Sequence, residues 1–156
     1  MAGDRIERDV LIDAPMDVVW EVISLPEQIV HWFSDEAELD LRPGGEGVLT
    51  FEMKATNQPA AYHLRFEAVE PPWRLAYRWV YPRGEEPRPG NSMLVEFMLA
   101  DEGGKTRLTV VESGLDFMPW PDDEKQSYAD SHGKGWAQHL ERLSAYAPAA
   151  PSRPVA

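Results

Sequence analysis

Glu112, His132 and His139 have the side-chain types that a proton-transfer site needs. Glu112 shares strand parity with Leu108 and Val110, which puts it on an inward face. A buried carboxylate is costly unless it is paired. His132 and His139 fall on one face of a later helix, so either is a candidate partner. General acid–base chemistry would need such a pair. Glu112 also lies at a strand end, and a solvated carboxylate is the reading the sequence favours there. Other chemistries fail on type or spacing. His132 and His139 are seven residues apart, or about 10 Å along a helix, whereas zinc holds its ligands at about 2.1 Å. His31 and His63 come from distant segments, so no metal is expected, and no cofactor motif is present. There is no cysteine, which removes disulfides, thiolate catalysis and cysteine metal sites. No serine sits in a Gly-x-Ser-x-Gly elbow, and the neighbours Ser131 and His132 point to different faces. Gly44-Gly45-Glu46-Gly47 lacks the lysine and following helix of a phosphate loop and reads as a hairpin turn.

The elements that position these residues follow from periodicity. Ile6 to Ile12 reads as a strand with Ile6, Val10 and Ile12 on one face. Asp13 is a candidate helix cap and Pro15 suits a first helical turn. Val18, Val19, Val22 and Ile23 recur at helical spacing, and Pro26 opens a second short helix carrying Ile29, Val30, Trp32 and Phe33. From Asp35 the period becomes two. Ala37, Leu39 and Leu41 form one strand, and Val48 to Lys54 form the next, broken at Asn57-Gln58-Pro59. Tyr62, Leu64, Phe66 and Ala68 alternate, as do Leu75, Tyr77, Trp79 and Tyr81 after Pro71-Pro72. Met93 to Leu99 and Thr106 to Glu112 close the series around the turn Asp101 to Gly104. A helix from about Asp123 to Tyr146 follows, and Asp123 with Gln126 resembles a capping box. Tyr128, His132, Trp136, His139, Leu140, Leu143 and Tyr146 share its broad face. Gly133 and Gly135 inside that helix cost about 1 kcal/mol each against alanine. Close packing explains one of them, and room for a ligand is the functional alternative.

One domain is expected over residues 5–147, with a Pro- and Ala-rich tail at 148–156. The net charge of −12 and the absence of a basic cluster disfavour nucleic acid and anionic membranes. No apolar run approaches the roughly 20 residues of a membrane span, and the first residues do not read as a signal peptide. A cytoplasmic location is expected.

The chain resembles the START-like, or SRPBCC, superfamily, and within it the branch named for activators of the heat-shock-protein-90 ATPase. The matching elements are Ala14-Pro15, Val19-Trp20, Pro26-Glu27, Trp32, Gly44-Gly45 and Glu70-Pro71-Pro72. They continue with Leu75, Tyr77, Trp79, Thr106 to Leu108, Gly114, Gly135-Trp136, Leu140 and Leu143. The resemblance runs from about Ile6 to Tyr146. It implies an α+β helix-grip fold of the birch-pollen-allergen type, in which a curved antiparallel sheet of about seven strands grips the long helix. It also implies a cavity between sheet and helix that takes a lipid, polyketide or aromatic metabolite. Strand parity and the helix face nominate Tyr62, Leu64, Phe66, Tyr77, Trp79, Phe97, Glu112, His132, Trp136 and His139 as its lining. Phe117, Met118 and Trp120 are candidates for a lid, with core packing or a homodimer contact as the alternative. The expected function is a carrier or sensor rather than an enzyme. The alternatives are a chaperone-associated interaction module, and a cyclase- or hydrolase-like enzyme using Glu112 and a histidine.

Overall fold

Among the described residues, alternating apolar and polar side chains build seven strands that pair into a single antiparallel sheet. The computed structural model describes residues 5–53, 58–82 and 84–150. Strand β1 (Arg5–Ile12) leads into helices α1 (Met16–Ser24) and α2 (Pro26–Ile29). Strands β2 (Glu36–Leu39), β3 (Glu46–Met53), β4 (Gln58–Glu70), β5 (Arg74–Trp79), β6 (Met93–Glu102) and β7 (Lys105–Ser113) follow as a meander. Helix α3 (Asp122–Tyr146) comes last, ahead of a short 3-10 turn at Ala147–Ala149. The strand order is β1-β7-β6-β5-β4-β3-β2. The meander thus starts at one edge, and its last strand returns to pair with β1.

The inward faces of the strands form continuous rows. Ile6 pairs with Glu112, Glu112 with Val95, Val95 with Tyr77, and Tyr77 with Phe66. Opposite residues in antiparallel pairs share a face, so Glu112 stands within a row of otherwise apolar and aromatic side chains. The α1–α2 corner closes one end of the sheet. Trp32 donates its indole N–H to the Val22 carbonyl at 2.8 Å, and the Thr106 hydroxyl donates to the Ala14 carbonyl at 2.7 Å. Helix α3 lies against β1 on the inner side of the sheet and buries Gly133, Trp136, Leu140 and Leu143.

Several local expectations are corrected. Pro15 and Pro121 occupy the N-cap positions of α1 and α3, and neither helix has a side-chain cap. Asp13 therefore does not cap α1. The Asp123–Gln126 capping box does not form, and Gln126 donates to Asp130 instead. Acidic Asp122, Asp123 and Glu124 still face the positive end of the α3 dipole. Helix α2 stops at Ile29, so Trp32 and Phe33 stand on the turns beyond it. Gln58 and Pro59 are paired in β4 rather than breaking the sheet, while Lys54 and Asn57 lie outside the described residues. A bulge between Phe66 and Ala68 shifts the register, so that Ala68 faces Ala76 and Val69 faces Leu75. Ala68 thereby leaves the inward row. Strand β5 ends at Trp79, because Val80 takes a φ of 61° and Tyr81 lies beyond the strand.

The two helix glycines separate by environment. A Cβ on Gly133 would stand 2.6 Å from the Arg8 guanidinium and 3.9 Å from Ile6, both on β1. A Cβ on Gly135 would meet nothing within 4 Å. Gly135→Ala is therefore expected to raise unfolding free energy by about 0.5–1 kcal/mol in urea denaturation, through helix propensity and a less free unfolded chain. Gly133→Ala is expected to gain less, because the Arg8 side chain must move.

Candidate functional site

The Glu112 carboxylate is completely buried, with 0% exposure, and four side chains donate to it. Burial of the strand end overturns the expectation that this carboxylate is solvated. The indoles of Trp79 and Trp136 donate at 2.8 and 2.9 Å, to Oε2 and Oε1 respectively. Tyr128 donates its hydroxyl to Oε2, and His132 Nδ1 meets Oε1 at 2.8 Å. A carboxylate offers about four lone-pair sites, so the set is complete. Three of the donors come from α3 at positions 128, 132 and 136, one turn apart on a single stripe. The fourth comes from the last residue of β5.

Burial pushes the Glu112 carboxyl toward its neutral form. His132, Tyr128 and Trp136 outweigh it and hold the pKa below the ordinary value, so the group is an anion. Tyr128 is pushed up by burial and by the adjacent Glu112 charge, which keeps its hydroxyl protonated as a donor. Tyr77, fully buried nearby, is raised for the same two reasons, and its hydroxyl has no hydrogen-bond partner among the described residues. His139 is not part of the network. Burial lowers its pKa to about 4, against an opposing contribution from the Trp32 backbone, and its Nδ1 has no partner of normal hydrogen-bond geometry.

Beside this network a cleft of about 190 Å³ opens between α3 and the sheet. Tyr62, Trp79, His132, Trp136 and His139 line it together with Phe33, Phe51, Ser131 and Gly135. Its walls are ring against ring. Phe33 stacks on Trp136 at 5.2 Å and meets His139 edge-on at 4.8 Å. Phe51 meets Tyr62 edge-on at 5.5 Å, and Trp79 is tilted against Trp136 at 5.9 Å. The open space over Gly135 belongs to this cleft.

The other nominated residues lie elsewhere. Leu64, Phe66, Tyr77 and Phe97 surround a separate interior void of only about 10 Å³ and otherwise fill the core. A large enclosed cavity between sheet and helix is therefore absent among the described residues, because these side chains occupy the space. None of the three lid candidates lines the cleft. Phe117 is 69% exposed and borders a different surface hollow, while Met118 is buried in the core. Trp120 packs on Tyr128 at 5.4 Å, behind the network. Phe33 and Phe51 went unrecognised because Phe33 stands on a turn, where no periodicity assigns a face, and Phe51 reads as ordinary strand core. The i, i+4, i+8 spacing of Tyr128, His132 and Trp136 was the available signal for the network. Among the described residues no group of three or more acidic or histidine side chains is arranged to hold a metal. No helix among them is long and apolar enough to cross a membrane.

Comparisons with known proteins agree with this architecture. No curated protein matches the chain. The crystal structure of DynU16, a protein in the dynemicin biosynthetic locus, superposes with a TM-score of 0.73 at 25% identity. That match covers 93% of this chain, which spans only 47% of DynU16. CalU16 from Micromonospora echinospora gives a TM-score of 0.67 at 27% identity, over 91% of this chain and 74% of its own. The Aha1 dimer from Colwellia psychrerythraea shares the fold alone, with a TM-score of 0.71 at 12% identity over 92% of this chain and 95% of that one. The family described as Activator of Hsp90 ATPase homolog 1-like protein matches residues 13–147. With that match covering most of the sequence, and with a seven-stranded sheet held against a long last helix, the chain belongs to this family within the START-like, or SRPBCC, helix-grip superfamily.

Proposed function

We propose that the protein binds a small aromatic molecule in the cleft between α3 and the sheet, as a carrier or sensor. The observation that carries this reading is the aromatic cleft itself, kept open where Gly135 has no side chain. Ligand sites are concave, mostly apolar and furnished with a few polar groups. Here five aromatic rings supply the apolar wall, and His132 and His139 supply the polar groups. Size narrows the ligand. Drug-sized ligands occupy roughly 300–1,000 Å³, and an apolar cavity of about 150 Å³ takes benzene. At about 190 Å³ the cleft suits one ring, or two with part of the second protruding, rather than a sterol or a long acyl chain. The place of the similar protein DynU16 in a biosynthetic locus is in keeping with small-molecule handling.

The indole N–H signals of Trp79 and Trp136 report on the site. Titration with 4-chlorotoluene is expected to shift both, and palmitate is expected to leave them in place. Gly135→Leu fills the open space and is expected to weaken 4-chlorotoluene binding at least about tenfold while the protein stays folded. Unchanged affinity in that variant, or tighter binding of palmitate, defeats the reading.

His139 contributes a neutral ring to the wall, and this links the cleft to pH. Its pKa falls from 6.5 in the unfolded chain to about 4 in the fold. Between those values the unfolded chain binds more protons, so stability rises with pH across the window and is lost as pH falls through it. The loss attributable to His139 is expected to reach roughly 3 kcal/mol at most. Urea unfolding followed from pH 7 to pH 4 checks this, and His139→Phe is expected to flatten the slope. Glu112 adds a loss only below its ordinary pKa of 4.5, because its folded value is lowered.

A further inference from the structure

We propose that the cleft is specific for aromatic ligands that carry a hydroxyl donor, phenols above all, with His132 Nε2 accepting the hydrogen bond and Glu112 positioning the ring. This rests on the reading of the cleft as a small-aromatic site and adds the chemical class of the ligand.

Glu112 receives indole N–H groups from Trp79 and Trp136, which can only donate, and the hydroxyl of Tyr128. An ionised carboxylate accepts only. The nitrogen of His132 facing it at 2.8 Å must therefore carry a proton, which fixes Nδ1 as the donor. In the neutral imidazole the lone pair is then on Nε2. One face of the ring is covered by Tyr128, stacked at a centroid distance of 3.7 Å, and Trp79 meets the ring edge-on. The ring cannot flip without breaking the bond to Glu112.

What remains open is the edge bearing Nε2. Glu112 is fully buried while the His132 side chain keeps 26% exposure, and His132 lines the cleft. Among the described residues the hydrogen bond of this ring goes to Glu112, so Nε2 is left with acceptor capacity toward a ligand. Charge selects the donor further. The Glu112 anion stands directly behind His132, and the chain carries a net charge of −12, so a carboxylate ligand meets repulsion. A neutral hydroxyl on an aromatic ring satisfies both the apolar walls and the acceptor.

Three probes of similar size test this at about pH 8, where a phenol with an ordinary pKa of about 10 keeps its proton. They are 4-chlorophenol, 4-chlorotoluene and 4-chlorobenzoate, titrated by calorimetry into the full chain. The expected order places 4-chlorophenol about 5- to 10-fold tighter than 4-chlorotoluene, the range of one neutral hydrogen bond, with 4-chlorobenzoate weakest. Nitrogen NMR of His132 is expected to show Nδ1 protonated and Nε2 unprotonated. The Nε2 resonance should move with 4-chlorophenol and not with 4-chlorotoluene. His132→Phe is expected to abolish the preference while 4-chlorotoluene still binds. The wild-type comparison stands by itself if that variant does not fold. Equal binding of the phenol and the toluene overturns the proposal and leaves the small-aromatic reading intact. Tightest binding of 4-chlorobenzoate, or an Nε2-protonated ring, also overturns it. Failure of both uncharged probes to bind ends both readings.

Discussion

The buried carboxylate of Glu112 sets the terms for the rest of the molecule. An unpaired carboxylate in an apolar row would be neutralised or expelled. This one is held as an anion by donors from β5 and from three successive turns of α3. Removing one partner of a buried charge typically costs about 3–5 kcal/mol. The rotation of α3 about its own axis and its position along the sheet are thus constrained together, because a one-residue slip would carry all three helix donors off the carboxylate. Apolar packing holds α3 against β1, and the charge determines which helical face does the packing.

That constraint also explains where the cleft lies. Trp79 and Trp136 turn their N–H edges toward Glu112, and their rings then pack against Phe33 and Tyr62. Trp79, His132 and Trp136 both satisfy the charge and line the cleft. Meanwhile Phe66, Tyr77 and Phe97 fill the space under the helix, leaving about 10 Å³. The accessible volume is pushed to the side of α3, where Gly135 leaves the helix surface bare, and away from the β1 side, where Gly133 sits close to Arg8.

How much of this was legible in the sequence depended on the kind of interaction. Alternation along Tyr62 to Phe66 and Leu75 to Trp79 reported the strands and their inward faces, because a side-chain period of two is a property of the backbone itself. It failed at Ala68, since a bulge shifts the register without leaving a mark in composition. Parity also placed Glu112 on the inward face. It did not give depth, because the burial of a strand end depends on what another element lays over it, and here that element is α3. The nominated lining split for a similar reason. Tyr62, Trp79, His132, Trp136 and His139 border the cleft, whereas Leu64, Phe66, Tyr77 and Phe97 became core, and parity is identical for both groups of strand residues. The absent caps on α1 and α3 show a different limit. Asp13 and Asp123 have suitable side chains, but prolines occupy the cap positions.

Stability alone gives a weak account of why this site is polar. Apolar residues of similar volume often replace a buried ion pair with no loss, or with a gain, in stability. Two of the four donors are indoles, whose N–H groups a leucine at position 112 alone would leave unpaired, so such a replacement must exchange the whole set for apolar side chains. His132 is different, because its side chain is part-exposed and lines the cleft. A charge at Glu112 does for His132 what packing cannot: it fixes the nitrogen that faces it as a donor and holds the ring in one orientation. The polarity of the core is therefore best understood from the cleft side, as the means by which one acceptor atom is kept in a fixed place among five aromatic rings.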